Sequence, residues 1–119
     1  MPENKYLWMS ANPLNVPTSN SLILLVSNNS NAFNFVIPVY NHGTALEGVV
    51  KNLESYKLPI IVVDDGNDEA NKVQINNVVQ KHPLCTLVTR EKNGGKGMAM
   101  RDGVFKAHEM GLSHILQID

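Results

Sequence analysis

Two hydrophobic periods take turns along this chain from about residue 33 onward. Phe33 to Val39 is β-prone and apolar, and it gives way to Leu46, Val49, Val50, Leu53 and Tyr56, which fall at helical spacing on one stripe. Pro59 closes that helix, and Ile60 to Val63 forms a short unbroken apolar run, the mark of a strand covered on both faces. Ala70, Val73 and Val78 lie on a second helix that Asp68 and Glu69 favour in its first turn. A third strand and a third helix follow, with Gly111 as the stop, and then an apolar run from His114 to Ile118. The pattern predicts strands near 34–39, 60–63, 85–89 and 114–118 and helices near 44–56, 68–81 and 96–110.

The first 32 residues do not share this beat. Pro2, Pro13 and Pro17 stand among scattered Asn and Ser, so 1–32 reads as an irregular extension before a single domain over 33–119. Within it, Leu22 to Val26 fits either an added edge strand or an amphipathic contact.

A β-α-β-α-β-α-β order with short connections predicts an α/β fold, a three-layer Rossmann-like sandwich on a mainly parallel sheet. Ligands on such sheets bind beyond the carboxyl ends of the strands. Those ends are Pro38 to His42, Asp64 to Asn67, Arg90 to Gly97, and Asp119, and they carry the unusual polar residues of the chain.

Composition narrows the function classes. With 119 residues, 43% hydrophobic and 18% charged, the chain has room for one ordinary globular domain. Ten Lys and Arg against eleven Asp and Glu leave a net charge of −1 without a basic stripe, so nothing favours a nucleic-acid partner. Cys85 is the one cysteine, which excludes an internal disulfide and a cysteine-based zinc site, and its strand context predicts a buried, inert thiol. A reducing cytoplasm is compatible with that. Leu22 to Val26 is too short to span a bilayer and has no secretory-signal pattern around it.

Asp64 and Asp65, followed by Gly66, put two carboxylates at the rim of the sheet, where they can accept hydrogen bonds from a base or from ribose hydroxyls. The plainer reading is a turn leading into a helix cap. In Asn93-Gly94-Gly95-Lys96-Gly97 three glycines allow close backbone approach, and the following helix points its positive end at the loop. Lys96 adds a cation and Arg101 lies about one turn further on, a set that suits a diphosphate, although a glycine turn entering a helix is equally consistent. The spacing is neither that of a P-loop nor of GxGxxG. Ala99, Gly103 and Ala107 form a small-residue stripe for close packing, while Met98, Met100 and Met110 read as core filling. His42, His82, His108 and His114 show no ligand spacing and read as surface or satisfied structural residues.

Together, Val36-Ile37-Pro38-Val39-Tyr40-Asn41, Ile61 to Gly66, Asn93 to Gly103 and Leu116-Gln117-Ile118-Asp119 resemble family 2 glycosyltransferases over about residues 33–119. The resemblance implies the nucleotide-binding half of a GT-A fold. It implies that Pro38, Tyr40 and Asn41 lie against the nucleotide, that Asp65 binds the base, and that Asp64 is its neighbour at the ribose or in the turn. Gly95, Lys96 and Arg101 then belong to the same nucleotide-sugar site. Asp119 matches the first Asp of an Asp-X-Asp motif that holds Mg2+ or Mn2+, the Lewis acid for the leaving group.

The implied activity is sugar transfer from a UDP- or GDP-sugar to a glycan or lipid-linked acceptor, in cell-envelope glycan synthesis. The Gly-Lys-Gly turn is reminiscent of members that use polyprenyl phosphates. The resemblance places the full-length protein in the cytoplasm, with the inner face of the membrane as an option. Asn67 stands where the family usually has Ser, a conservative change for a helix cap. The acceptor half and its base are expected beyond this chain, which as given is expected to be inactive and to self-associate, or to pack Leu22 to Val26 over its open face. The alternatives are a nucleotidylyltransferase-like domain and a response-regulator-like domain. The first lacks its basic loop at Tyr40 to Gly43, and the second lacks an Asp ending the third strand.

Overall fold

In a computed structural model the described residues are 7–9, 22–25 and 32–118, and six strands form one sheet in the order β1-β2-β6-β3-β4-β5. In chain order these are β1 (Leu7–Met9), β2 (Leu22–Leu25), β3 (Phe33–Val39), β4 (Ile60–Asp65), β5 (Cys85–Arg90) and β6 (His114–Gln117). Helices α1 (Gly43–Leu53), α2 (Glu69–Lys81) and α3 (Lys96–Glu109) connect the last four strands. Those four strands pair in parallel, as the alternating pattern predicts.

The leader departs from the irregular reading. Its β1 pairs antiparallel with β2, and β2 pairs antiparallel with β6, from Leu22 opposite Gln117 to Leu25 opposite His114. The leader thus adds strands at the edge of the sheet instead of covering its face. A three-residue strand such as β1 has too few positions for its period to register in the sequence.

Side-chain alternation splits the core in two. Phe35, Ile37, Val39, Ile60, Val62 and Leu116 pack with Leu46 and Val50 of α1 and Ile75 and Val78 of α2. Val36, Ile61, Val63 and Ile115 face the other way, toward Ala99, Met100, Val104 and Ala107 of α3. The sheet is therefore sandwiched between α1 and α2 on one side and α3 on the other. Every residue of β4 is buried, as a strand at the centre of a covered sheet requires. Of the three methionines expected in the core, only Met100 is there; Met98 in α3 and Met110 just after it are exposed.

Helix ends follow local chemistry. The predicted 44–56 helix is α-helical only to Leu53, continues as a single tight turn over Glu54–Tyr56, and stops at Lys57, whose φ of 58° is left-handed. Asp68 caps α2 by accepting from the Asn71 amide at 2.9 Å, so the cap falls on Asp68 and not on Asn67. At the end of α3, Gly111 takes a φ of 78° while the Leu112 amide donates back to Ala107 at 2.9 Å. Cys85 is half-buried, and burial, assisted by the charge of Glu54, pushes its thiol up to about 11, so it stays protonated. His82 is buried at the end of α2 and holds Glu54 at 2.8 Å, while His114 stacks on Phe33 with ring centroids 4.4 Å apart.

Two tests follow from this packing. A Cβ on Gly103 would lie 2.6 Å from Val36 Cγ1, so Gly103→Ala is expected to destabilise the fold by about 1–2 kcal/mol despite the better helix propensity of alanine. Adding Val36→Ala to that variant should recover part of the loss, read as coupling in a denaturant double-mutant cycle. Removing residues 1–26 uncovers the backbone edge of β6 that β2 now pairs. Sedimentation should then report a larger mean mass for the shortened chain than for the full one. An unchanged mass would mean that β2 does not protect that edge.

Candidate nucleotide-binding site

Adjacent residues on a strand point to opposite faces, and this separates the two carboxylates at the end of β4. Asp64 faces the α2 side. Its Oδ1 accepts from the Asn67 amide at 3.0 Å and from Asn67 Nδ2 at 2.6 Å, and its Oδ2 accepts from Lys72 Nζ at 2.8 Å. Asn67 also donates to the Val39 carbonyl at 2.7 Å and accepts from the Asn41 amide at 2.8 Å. A single amide side chain thus ties the loop after β3 to the loop after β4. It helps hold Asn41 in its left-handed conformation, φ 60°. Asp64 is 2% exposed, and its hydrogen bonds run inward to this knot. Of the ribose and turn readings, the geometry favours the turn.

Asp65 faces the α3 side and is equally buried. Its Oδ1 accepts from Arg90 Nε at 2.9 Å and from the Gly94 amide at 3.1 Å, and its Oδ2 accepts from the Gly95 amide at 3.1 Å. Arg90 lies at the end of β5 and also donates to Asp102 on α3. Asp102 first, and Asp65 with it, hold the guanidinium firmly cationic. The sequence reading passed over Arg90, Asp102 and Lys72. Each is a charged residue without a periodic signature, and only the fold reveals its partner.

Two glycines make the loop possible. Gly66 has a φ of 69°, and a Cβ there would lie 2.3 Å from the Asn93 amide nitrogen, so the backbone of 92–93 can cross only a glycine. Gly95, with a φ of 87°, turns the chain so that α3 begins with its amides directed at the sheet edge.

A depression of about 410 Å³ opens above this loop. Pro38, Tyr40, Asp65, Gly95 and Lys96 line it, joined by Val39, His42 and Asn93. A second depression of about 460 Å³ adjoins it, with Lys96, Arg101, Met100 and Gln117 in its wall. Lys96 belongs to both, so Pro38, Tyr40, Asp65, Gly95 and Lys96 line one depression and Arg101 the neighbour that meets it at Lys96. Asn41, which is exposed, and Asp64, which is buried, are not in the lining of either depression. Asp119 lies outside the described residues. Among the described residues no group of three or more His, Cys, Asp or Glu is arranged to hold a metal ion.

A carboxylate paired with a backbone loop and an arginine lies beside a groove with two cations at a helix start, an arrangement that offers a hydrogen-bond acceptor next to positive charge. The family model for glycosyl transferase family 2 matches residues 34–109. The chain belongs to that family. A dolichyl-phosphate beta-glucosyltransferase from Trichomonas vaginalis is 34% identical over 80 residues, covering 58% of this chain and 24% of the relative. An uncharacterised protein from Methanocaldococcus jannaschii is 30% identical over 69 residues, covering 57% of this chain and 30% of that one. The fold is similar to that of a mannosyltransferase from Pyrobaculum calidifontis solved in complex with GDP-Man and Mn2+. The TM-score is 0.57 at 23% identity, over 64% of this chain and 24% of that one. The chain therefore spans about a quarter of the length of these proteins, and it has the GT-A type of α/β sandwich.

The Asp64 knot has a measurable signature. Burial alone would raise the Asp64 pKa, but hydrogen bonds from Lys72 and Asn67 outweigh it and hold the carboxyl below its ordinary 3.8. The folded state therefore resists protonation more than the unfolded state does. The resulting stability is fully present above 3.8 and is lost as pH falls through the lower folded value. Lys72→Met is expected to cost about 1–3 kcal/mol at neutral pH, because it strips a buried carboxylate of a donor. In urea titrations across the acid range, the gap between variant and parent should narrow below pH 4 or so.

Proposed function

We propose that this chain is the nucleotide-sugar-binding part of a GT-A glycosyltransferase that moves a sugar from a UDP- or GDP-sugar to a glycan or polyprenyl-phosphate acceptor. The observation that carries the reading is Asp65. Its carboxylate is held at the wall of the depression by Arg90 and two loop amides, beside Lys96 at the start of α3. Here the base meets Asp65, Tyr40 lies along the nucleotide, and the diphosphate runs toward Lys96 and Arg101.

The dolichyl-phosphate acceptor named for the Trichomonas relative supports a lipid-phosphate acceptor, and the GDP-Man and Mn2+ of the Pyrobaculum neighbour support a sugar nucleotide held with a divalent metal. Mg2+ or Mn2+ would sit at Asp119, where it would polarise the leaving diphosphate. One carboxylate holds such an ion poorly, so further donors come from elsewhere in the whole protein. The acceptor site and catalytic base belong there as well, and catalysis at the cytoplasmic face of a membrane suits a polyprenyl substrate.

Titration calorimetry with UDP and GDP tests the nucleotide site directly. At least one should bind, and Asp65→Ala should weaken it by about tenfold or more, the equivalent of losing ~1.4 kcal/mol of contact. A folded chain that binds neither, or an alanine variant that binds as well as the parent, would overturn the proposal.

A further inference from the structure

We infer that this site selects a base presenting a single ring N–H between two carbonyls, as uracil does, over guanine; the inference rests on Asp65 being the base ligand. The two bases ask for different numbers of acceptors. A carboxylate has four acceptor positions, two on each oxygen. Three of them are taken within the protein: Oδ1 by Arg90 Nε and the Gly94 amide, and Oδ2 by the Gly95 amide. Among the described residues Oδ2 has no second partner, which leaves one position on it for a ligand.

Guanine offers a ring N–H and an amino N–H side by side, a pair that fits both oxygens of one carboxylate. Here Oδ1 is already saturated, so one of the two donors would enter a buried contact without a partner. Uracil offers one N–H, which one acceptor satisfies completely. Its two flanking carbonyls need donors, and Asn93 and His42 line the same depression as Asp65. Cytosine and adenine fit less well, because their amino groups bring a second hydrogen that needs an acceptor of its own.

Oδ1 is not released on demand. Arg90 is anchored at its other end by Asp102, and the Gly94 amide belongs to a loop that crosses Gly66 with no room for a Cβ. Arg90 and Asp102 are therefore positioning residues for base choice. They act through Asp65 by keeping one of its oxygens occupied.

The test is a calorimetric panel of UDP, GDP, CDP and ADP on the full 119-residue chain, which needs no variant. UDP should bind at least about tenfold more tightly than GDP, since an unmatched buried donor costs that much or more. GDP binding as tightly as UDP, or a preference for CDP or ADP, overturns the base assignment and leaves the nucleotide site standing. Failure of all four to bind removes the nucleotide site and this inference together.

Arg90→Met adds an independent reading because it frees a position on Oδ1. The UDP-to-GDP affinity ratio should fall toward one, whereas an arginine that merely stabilises the fold would weaken both and leave the ratio unchanged. Should that variant not fold, the panel on the parent chain still decides.

Discussion

The carboxylate of Asp65 is the point at which the sheet, the glycine loop and α3 are held to one another. Three donors from two segments converge on it, Arg90 from the end of β5 and the amides of Gly94 and Gly95 from the loop that starts α3. A buried carboxylate is tolerated only when its charge is paired and its oxygens are hydrogen-bonded, and here both conditions are met. In return the loop gains a fixed conformation, with its amides committed. The depression above it owes its shape to that commitment. Remove the carboxylate, and Arg90, two amides and Asp102 lose their common reference.

Its neighbour solves a different problem. Asp64 lies one residue away but on the other face, where it holds Asn67 and Lys72 and so fixes the turns after β3 and β4. The pair therefore divides into a carboxylate that shapes the ligand edge and one that locks the turns behind it. The two-residue period of a strand in regular register enforces this division.

Much of this was legible in the sequence because the sheet is covered on both faces. Continuous apolar runs such as Ile60 to Val63 and helical stripes such as Leu46, Val50 and Leu53 are written in single residues, and the parallel order follows from their alternation. The small-residue stripe of α3 was legible for the same reason. Arg90 was not, because a charged residue inside Thr89-Arg90-Glu91-Lys92 has no periodic signature and its two acidic partners sit on other elements. Asn67 looked like a helix cap, yet its amide is spent between two loops, and the cap is the next residue along. Met98 and Met110 share the apolar character of Met100, but nothing in residue type says which of the three the fold buries.

The position of β6 between β2 and β3 bears on how such a chain is made. This strand comes from nearly the last residues of the chain, yet it supplies the partner for β2 on one side and for β3 on the other. A polypeptide emerging from the ribosome can pair β3, β4 and β5 in the order of their synthesis. The β1–β2 ribbon, made first, must wait until His114 to Gln117 have been translated before its docking edge exists. Pairings between such distant segments form slowly, because a long loop has to be closed before any contact repays the lost entropy. The β1–β2 pair therefore docks on the parallel strands only after β6 has been made.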